Sequence, residues 1–313
     1  MNKASIVHLV VPRLRSEHLL KVCLSALLLT SGAPLFAQAS DANLSANAVL
    51  RRAVDGELKA QTDDHSHWMY RVKRTDGGKE EVKLVVESKD GEIDRLQSIN
   101  GHPIGVEEQK REDQRILNLL HAPDRQKKRQ RAQSEDAEQT ARMYKVLPEA
   151  LSVRFGQRKG DLVELLFEPN PNYHAWSREA IVFHEMEGRI WIDARENRLA
   201  EIEGQLMHTV KFAGGLLGYL DKGGEFNVRQ AEVAPGHWEV TLLHVDMHGK
   251  ILFLRTISEQ QHEIRTDYRL VSNDLTLSQA ADELQKRSSI QNAEEKKAEV
   301  SKSGNIAAAS RQR

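Results

Sequence analysis

The stretch 180–206, AIVFHEMEGRIWIDARENRLAEIEGQL, decides the fold. Apolar residues alternate with charged ones along most of it, and short polar segments interrupt the alternation. Period-two patterning broken by turn residues predicts three consecutive antiparallel strands, the centre of a sheet. Along 198–212 one parity is Ala200, Ile202, Gly204, Leu206, His208, Val210 and Phe212. The other is Glu201, Glu203, Gln205, Thr209 and Lys211. That predicts one long strand with a single dry face, on which His208 is a histidine satisfied within the core.

Working outward, the same alternation continues on both sides. Downstream, 225–233, 238–245, 251–257 and 263–271 read as strands, with turns at Pro235-Gly236 and Met247-His248-Gly249-Lys250. In the last of them Ile264, Thr266, Tyr268 and Leu270 alternate with Glu263, Arg265, Asp267 and Arg269. Upstream, Trp68, Tyr70 and Val72 open a first strand, Asp76-Gly77-Gly78 turns it, and strands 81–87 and 93–99 follow. Lys89-Asp90-Gly91-Glu92 joins those two as a hairpin. A further strand spans 161–168. Helices are expected from a Ser45 cap through Leu58, over 106–120, along the charged stretch 124–146, and from 277 behind the capping box formed by Thr276 and Gln279. The expected fold is α+β. A large curved antiparallel sheet of about ten or eleven strands forms an unclosed half-barrel, with helices covering its concave face.

The chain has 313 residues, with 46 acidic and 45 basic side chains that nearly cancel to a formal charge of -1. No global field attracts nucleic acid, which is not an expected partner. Lys3, Arg13, Arg15 and Lys21 precede the apolar run 22–29, and Ala37-Gln38-Ala39 stands before Ser40. A basic region, an apolar region and a small-x-small site together predict a signal peptide, 1–39, cleaved near Ala39 to give a periplasmic or secreted protein. Cys23 leaves with it, which removes disulfides, thiolate metal sites and a cysteine nucleophile. One domain over 40–287 is expected, with a charged helical insert near 104–155 and a disordered tail, 288–313.

Candidate sites follow from what the pattern leaves unexplained. The stretch 213–224, AGGLLGYLDKGG, is apolar between glycines and reads as a flap at a cavity mouth that covers ligand or makes peripheral membrane contact, with Gly214, Gly215, Leu216, Leu217 and Tyr219 as its members; the alternative is a tight apolar turn packed on the sheet edge. Trp191, Ile202, Leu206, Val210 and Phe212 are the candidates for the cavity itself. Arg125, Lys127, Lys128 and Arg129 form a basic cluster that could face a partner. The alternative for that cluster is a solvated helix face balanced by Glu135, Asp136 and Glu138. His65 and His67 would share one side of a strand, a geometry compatible with metal, but their place between helix and strand reads as solvent-facing. His184-Glu185-Met186-Glu187 lacks the second histidine of a zincin, and of His244, Asp246 and His248 the last falls in a turn, so no metal or cofactor is assigned. Ser177 has no glycine elbow around it. The carboxylates Glu164 and Glu168, and Glu201 and Glu203, alternate as exposed strand faces do. No catalytic set emerges.

In the order of its elements, and in Trp191-Ile192-Asp193, the turn 194–197 and the strand Arg198-Leu199-Ala200-Glu201-Ile202-Glu203-Gly204, the chain resembles the periplasmic outer-membrane lipoprotein carrier superfamily (LolA/LolB-like). The likeness in element order covers 45–284. It departs from the family in the length of the helix from Asp124, and the family's lid-fixing arginine matches no particular position. The resemblance implies a hydrophobic cavity between curved sheet and helices, and hence a lipid, an acyl chain or a lipoprotein as the bound partner. The alternatives are an envelope interaction or sensor protein without a small ligand, docking an envelope partner, and an envelope hydrolase.

Overall fold

The computed structural model describes residues 44–175, 178–212, 214, 218–251 and 255–288. The expected signal peptide, the tail beyond 288, and Gly215, Leu216 and Leu217 lie outside them. Helix α1 is Ala46–Asp63, capped by the Ser45 side chain accepting from the Ala48 N–H, five residues longer than the spacing suggested. Strands β1 His67–Asp76, β2 Lys79–Ser88, β3 Gly91–Ile99 and the short β4 His102–Pro103 follow. Helix α2 is Val106–Leu120 and helix α3 is Pro123–Ala150. Pro123 therefore opens α3, where its missing N–H costs nothing, as well as ending α2. Next come β5 Leu151–Lys159, β6 Leu162–Pro169, helix α4 Arg178–Phe183, β7 Met186–Asp193, β8 Arg198–Leu206, β9 Val210–Phe212 and β10 Gly218–Leu220. The chain then runs through β11 Glu225–Ala234, β12 His237–Ile251, β13 Arg255–Val271 and a final helix, α5, over 277–288.

The fold is α+β, with a 13-stranded antiparallel sheet that does not close into a barrel. Its order is β4-β3-β2-β1-β13-β12-β11-β8-β7-β6-β5, with β10 joined to β12 and β9. The two ends are β4 and β5. Asn100 and Gly101, with φ of 50° and 76°, make the two-residue turn into β4, a conformation that Asn and Gly adopt most readily.

Three local expectations are corrected. The segment 180–183 is the end of a helix, not a strand, and it buries Ala180, Val182 and Phe183 at helical spacing. The long strand over 198–212 breaks at 207–209 into β8 and β9, and His208 is exposed, its ring 3.2 Å from the Glu185 carboxylate. Met247-His248-Gly249-Lys250 is no turn, because β12 runs straight through it. A Cβ on Gly249 would collide with the Tyr219 carbonyl of the paired β10, so the glycine marks a close backbone approach.

The described residues form two compact units. One comprises 44–64, 133–240, 245–251 and 255–259, and the other 65–132, 241–244 and 260–288. In the first, the inward face of α1 buries Val49, Leu50, Ala53 and Val54, and the helix packs on β5 and β8. The sheet answers with Val163, Leu165, Phe167, Ile190, Ile192 and Leu199, all buried. Fully burying one Val or Leu is worth roughly 1.5–3 kcal/mol, so this seam fixes α1 more firmly than its helix propensity could. In the second unit Met69, Leu84, Val86 and Ile93 from β1–β3 pack with Ile116 of α2 and with Leu277, Ala280, Ala281 and Leu284 of α5. The Thr276 capping box opens α5: Gln279 N–H donates to the Thr276 hydroxyl, and the Thr276 N–H donates to the Gln279 side chain.

Candidate functional site

Beneath α1, in the first unit, lies a group of polar side chains in an otherwise apolar setting. Glu57, on the helix's inward face, is 3 % exposed. It accepts from Arg198 Nε at 2.9 Å and from the other end of the same guanidinium at 3.1 Å. The Leu199 N–H donates to it at 2.8 Å. Two charges removed from water in this way hold because they are paired through two hydrogen bonds and Glu57 accepts a third from the backbone. The Arg198 guanidinium also lies 5.8 Å from the centre of the Trp238 ring, on β12. The Trp238 indole Nε1 is buried and has no hydrogen-bond partner among the described residues. Tyr144, on α3, lies near Gln230 of β11. Desolvation, reinforced by the Glu57 charge, pushes its phenol well above the usual tyrosine range. Gln61 donates to the Ala137 carbonyl and Asn47 to the Pro148 carbonyl, tying α1 to α3 at both ends. These residues couple α1, α3, β8, β11 and β12. Alternation alone missed them, because a glutamate and an arginine 141 positions apart carry no spacing signal.

The predicted cavity residues divide between the two faces of the sheet. Ile202 opposes Ile190 and Val228, and Leu206 opposes Met186, so both share a face with Phe167 and Phe226. Gly188 and Gly204 keep that face low: a Cβ on Gly204 would stand 2.8 Å from the Phe226 ring and 3.2 Å from that of Phe167. The Phe183 ring meets Phe226 edge-on at 6.1 Å. Val210 is buried opposite Leu220, while Phe212 is half-buried opposite Gly218. Trp191 lies elsewhere. It stands between Glu164 and Glu201 on the opposite face, with Lys159 Nζ 4.7 Å above its ring. Of the flap, Gly214 is exposed with φ of 64°, and Tyr219 belongs to β10 and pairs with Lys211 and Lys250.

The polar face around Trp191 is an ion-pair network. Arg189 bonds Glu203, and Arg229 reaches Glu201 at 2.9 Å. Asn227 donates to Glu201 at 2.7 Å and to Glu203 at 3.1 Å. Desolvation acts to raise the Glu201 carboxyl, but the hydrogen bonds and charge of Arg229 with the Asn227 amide outweigh it and hold the group below the usual range. Glu164, 4 % exposed, accepts from the Gln157 N–H in the bulge of β5. Glu168 lies apart, opposite Ser152.

The second unit has its own polar and aromatic cluster. Tyr70 stacks on Tyr268 with centroids 4.9 Å apart, and Trp68 meets Tyr268 edge-on at 6.1 Å. The Arg265 guanidinium lies 5.6 Å from the Tyr70 ring and 2.7 Å from Glu263, which also accepts from Gln261. Gln261 and Glu263 are buried, and it is Leu270 that is exposed. In β13 the polar parity therefore turns inward, and Asp267, with φ of 59°, marks where the alternation shifts.

The basic cluster lies in the first turns of α3. Lys127 and Lys128 are exposed, Arg129 is half-buried, and none of the three forms an ion pair among the described residues; the Arg125 side chain lies outside them. The His244 and His262 rings are 5.5 Å apart, and His248 lies 3.0 Å from Asp246. No group of three metal-type side chains occurs among the described residues, and no described helix is long and apolar enough to cross a membrane. Comparison of the chain with protein-family models, with curated proteins and with solved structures finds no match.

Proposed function

We propose that this is an exported, non-catalytic binding protein of the cell envelope that holds an acyl chain or another apolar ligand between its antiparallel sheet and the helix α1 laid over it. The observation that carries this is the make-up of the α1 seam. The inward face of α1 is apolar apart from Glu57, whose buried pair with Arg198 stands beside an indole donor that has no partner among the described residues. Apolar area gives such a site affinity, and a few fixed polar groups give it orientation. The Trp238 N–H suits the carbonyl or carboxyl oxygen of an acyl ligand, and the ion pair is a discrete latch that lets α1 lift as a unit. The resemblance of 191–204 to the lipoprotein carriers points the same way.

Native mass spectrometry of the purified protein, followed by lipid extraction, tests this. A co-purifying apolar mass is expected, and titration with a fatty acid should change the emission of Trp238, an effect lost in Trp238→Phe. Protein that carries nothing and takes up nothing from a fatty-acid mixture overturns the reading. N-terminal sequencing of protein recovered from the cell envelope tests export, with a mature end near Ser40 expected.

A further inference from the structure

We infer that the first two turns of α3 form a docking surface for an anionic phospholipid bilayer. Within the second unit the start of α3 is held by glutamines. Gln126 donates to the Leu119 and Leu120 carbonyls at 2.9 and 3.0 Å, and Gln130 donates to the Asp90 carbonyl of the β2–β3 turn at 2.9 Å. Lys127, Lys128 and Arg131 lie between and beside these anchors. They are exposed and make no ion pair among the described residues. Spacings of three and four put all three along one stripe of the helix.

This charge does nothing for the helix that bears it. The N-terminal end of a helix is already electropositive, so cations there oppose the macrodipole, and Asp124 is the one acid in the first turn. Glu135 is one turn beyond Arg131, in the orientation less favourable for pairing, and forms no ion pair with it. The cluster thus stands as uncompensated positive potential on a chain whose charges otherwise cancel. Acidic headgroups are its electrostatic complement, and lysine or arginine near such a surface each raises binding about fivefold. The stripe carries no aromatic residue of the kind that stacks on bases in single-strand nucleic-acid sites.

Co-sedimentation with vesicles tests the inference, using phosphatidylglycerol mixed into phosphatidylcholine beside phosphatidylcholine alone. The wild-type protein should bind only the acidic vesicles, and progressively less as salt rises. The triple variant Lys127→Gln, Lys128→Gln, Arg131→Gln should lose on the order of a hundredfold in partitioning. The matched triple Lys59→Gln, Lys145→Gln, Lys222→Gln removes the same charge from other exposed sites and should bind as wild type does. Equal losses in the two triples, or no binding of wild type to acidic vesicles at low salt, overturns the inference. So does binding to a single-stranded oligonucleotide that depends on the three residues while vesicles are ignored. Failure here leaves the apolar-ligand reading untouched, since its site lies in the other unit.

Discussion

Glu57 and Arg198 show how much one buried pair controls. Truncating either partner alone leaves the other's charge in a dry site, so Glu57→Ala or Arg198→Ala is expected to cost about 3–5 kcal/mol. The cost should appear as a lower urea midpoint at an unchanged slope. Replacing both with methionine restores part of the loss, since a packed apolar pair is often as stable as a buried ion pair. Recovery stops short by about 1–3 kcal/mol, because the Leu199 N–H donates to Glu57 and is then left without an acceptor. A double variant no better than the singles would show that the pair is not the unit that matters. Tyr144 makes a second prediction, on pH. Its folded pKa is raised by desolvation and by the Glu57 charge, so the folded state keeps the phenolic proton where the unfolded chain loses it. The resulting stability is fully present below about pH 10, the ordinary tyrosine value, and is lost as pH rises beyond it. Denaturant unfolding at successive alkaline pH values should therefore show a steeper fall for wild type than for Tyr144→Phe. Parallel slopes would mean the phenol is not shielded in the folded protein.

Among the elements, α1 is the one whose seating decides the site. Gly56 passes so close to the β7–β8 turn that a Cβ there would collide with the Asn197 carbonyl oxygen. Alanine in a helix interior is better than glycine by about 1 kcal/mol, but overpacking against backbone costs about 1–3 kcal/mol. Gly56→Ala should therefore destabilise, by up to about 2 kcal/mol in thermal unfolding, and a more stable variant would show that α1 sits higher than described. In the second unit Leu284→Ala should cost about 2–5 kcal/mol, because Leu284 is wholly buried on the α5 face that closes the β1–β3 core. The sequence made such elements legible wherever local chemistry and tertiary packing agree. The β2–β3 hairpin, the Thr276 capping box and helix 106–120 all stand where turn residues and spacing put them. It misled where packing overrides local preference. Ala180-Ile181-Val182-Phe183 has no periodicity of its own and is rich in β-formers, yet it is helical, because that places Phe183 against Phe226. In the first half of β13 the polar parity was the one to bury, and nothing in Arg265 announces the Tyr70 ring beside which it lies. The Glu57–Arg198 pair escaped for the same reason, since its partners meet only once the sheet has formed.

Across the whole molecule, sequence order and spatial grouping run against each other. Each compact unit is assembled from separate stretches of chain, and β12 and β13 both pass through the two units. Contacts of such long sequence separation carry a loop-closure cost that only the finished core repays, so neither unit is a module that folds as the ribosome delivers it. The second unit offers the sharpest consequence. Its longest contiguous piece, 65–132, contains β1–β4, α2 and the start of α3, and by sequence it resembles a small independent domain. Yet β1 pairs along His67–Thr75 with His262–Val271 of β13, and the core between β1 and β3 is closed by Leu277, Ala280, Ala281 and Leu284. Expressed alone, 65–132 keeps β1 as an open edge and loses one wall of its core, a hazard for aggregation as well as for folding. The fragment should show little amide dispersion by NMR and no cooperative thermal transition. Adding 260–288 as a second chain or through a short linker should restore both. A fragment 65–132 that folds cooperatively by itself would mean that the local strand order, and not the late-arriving β13 and α5, stabilises that half of the protein.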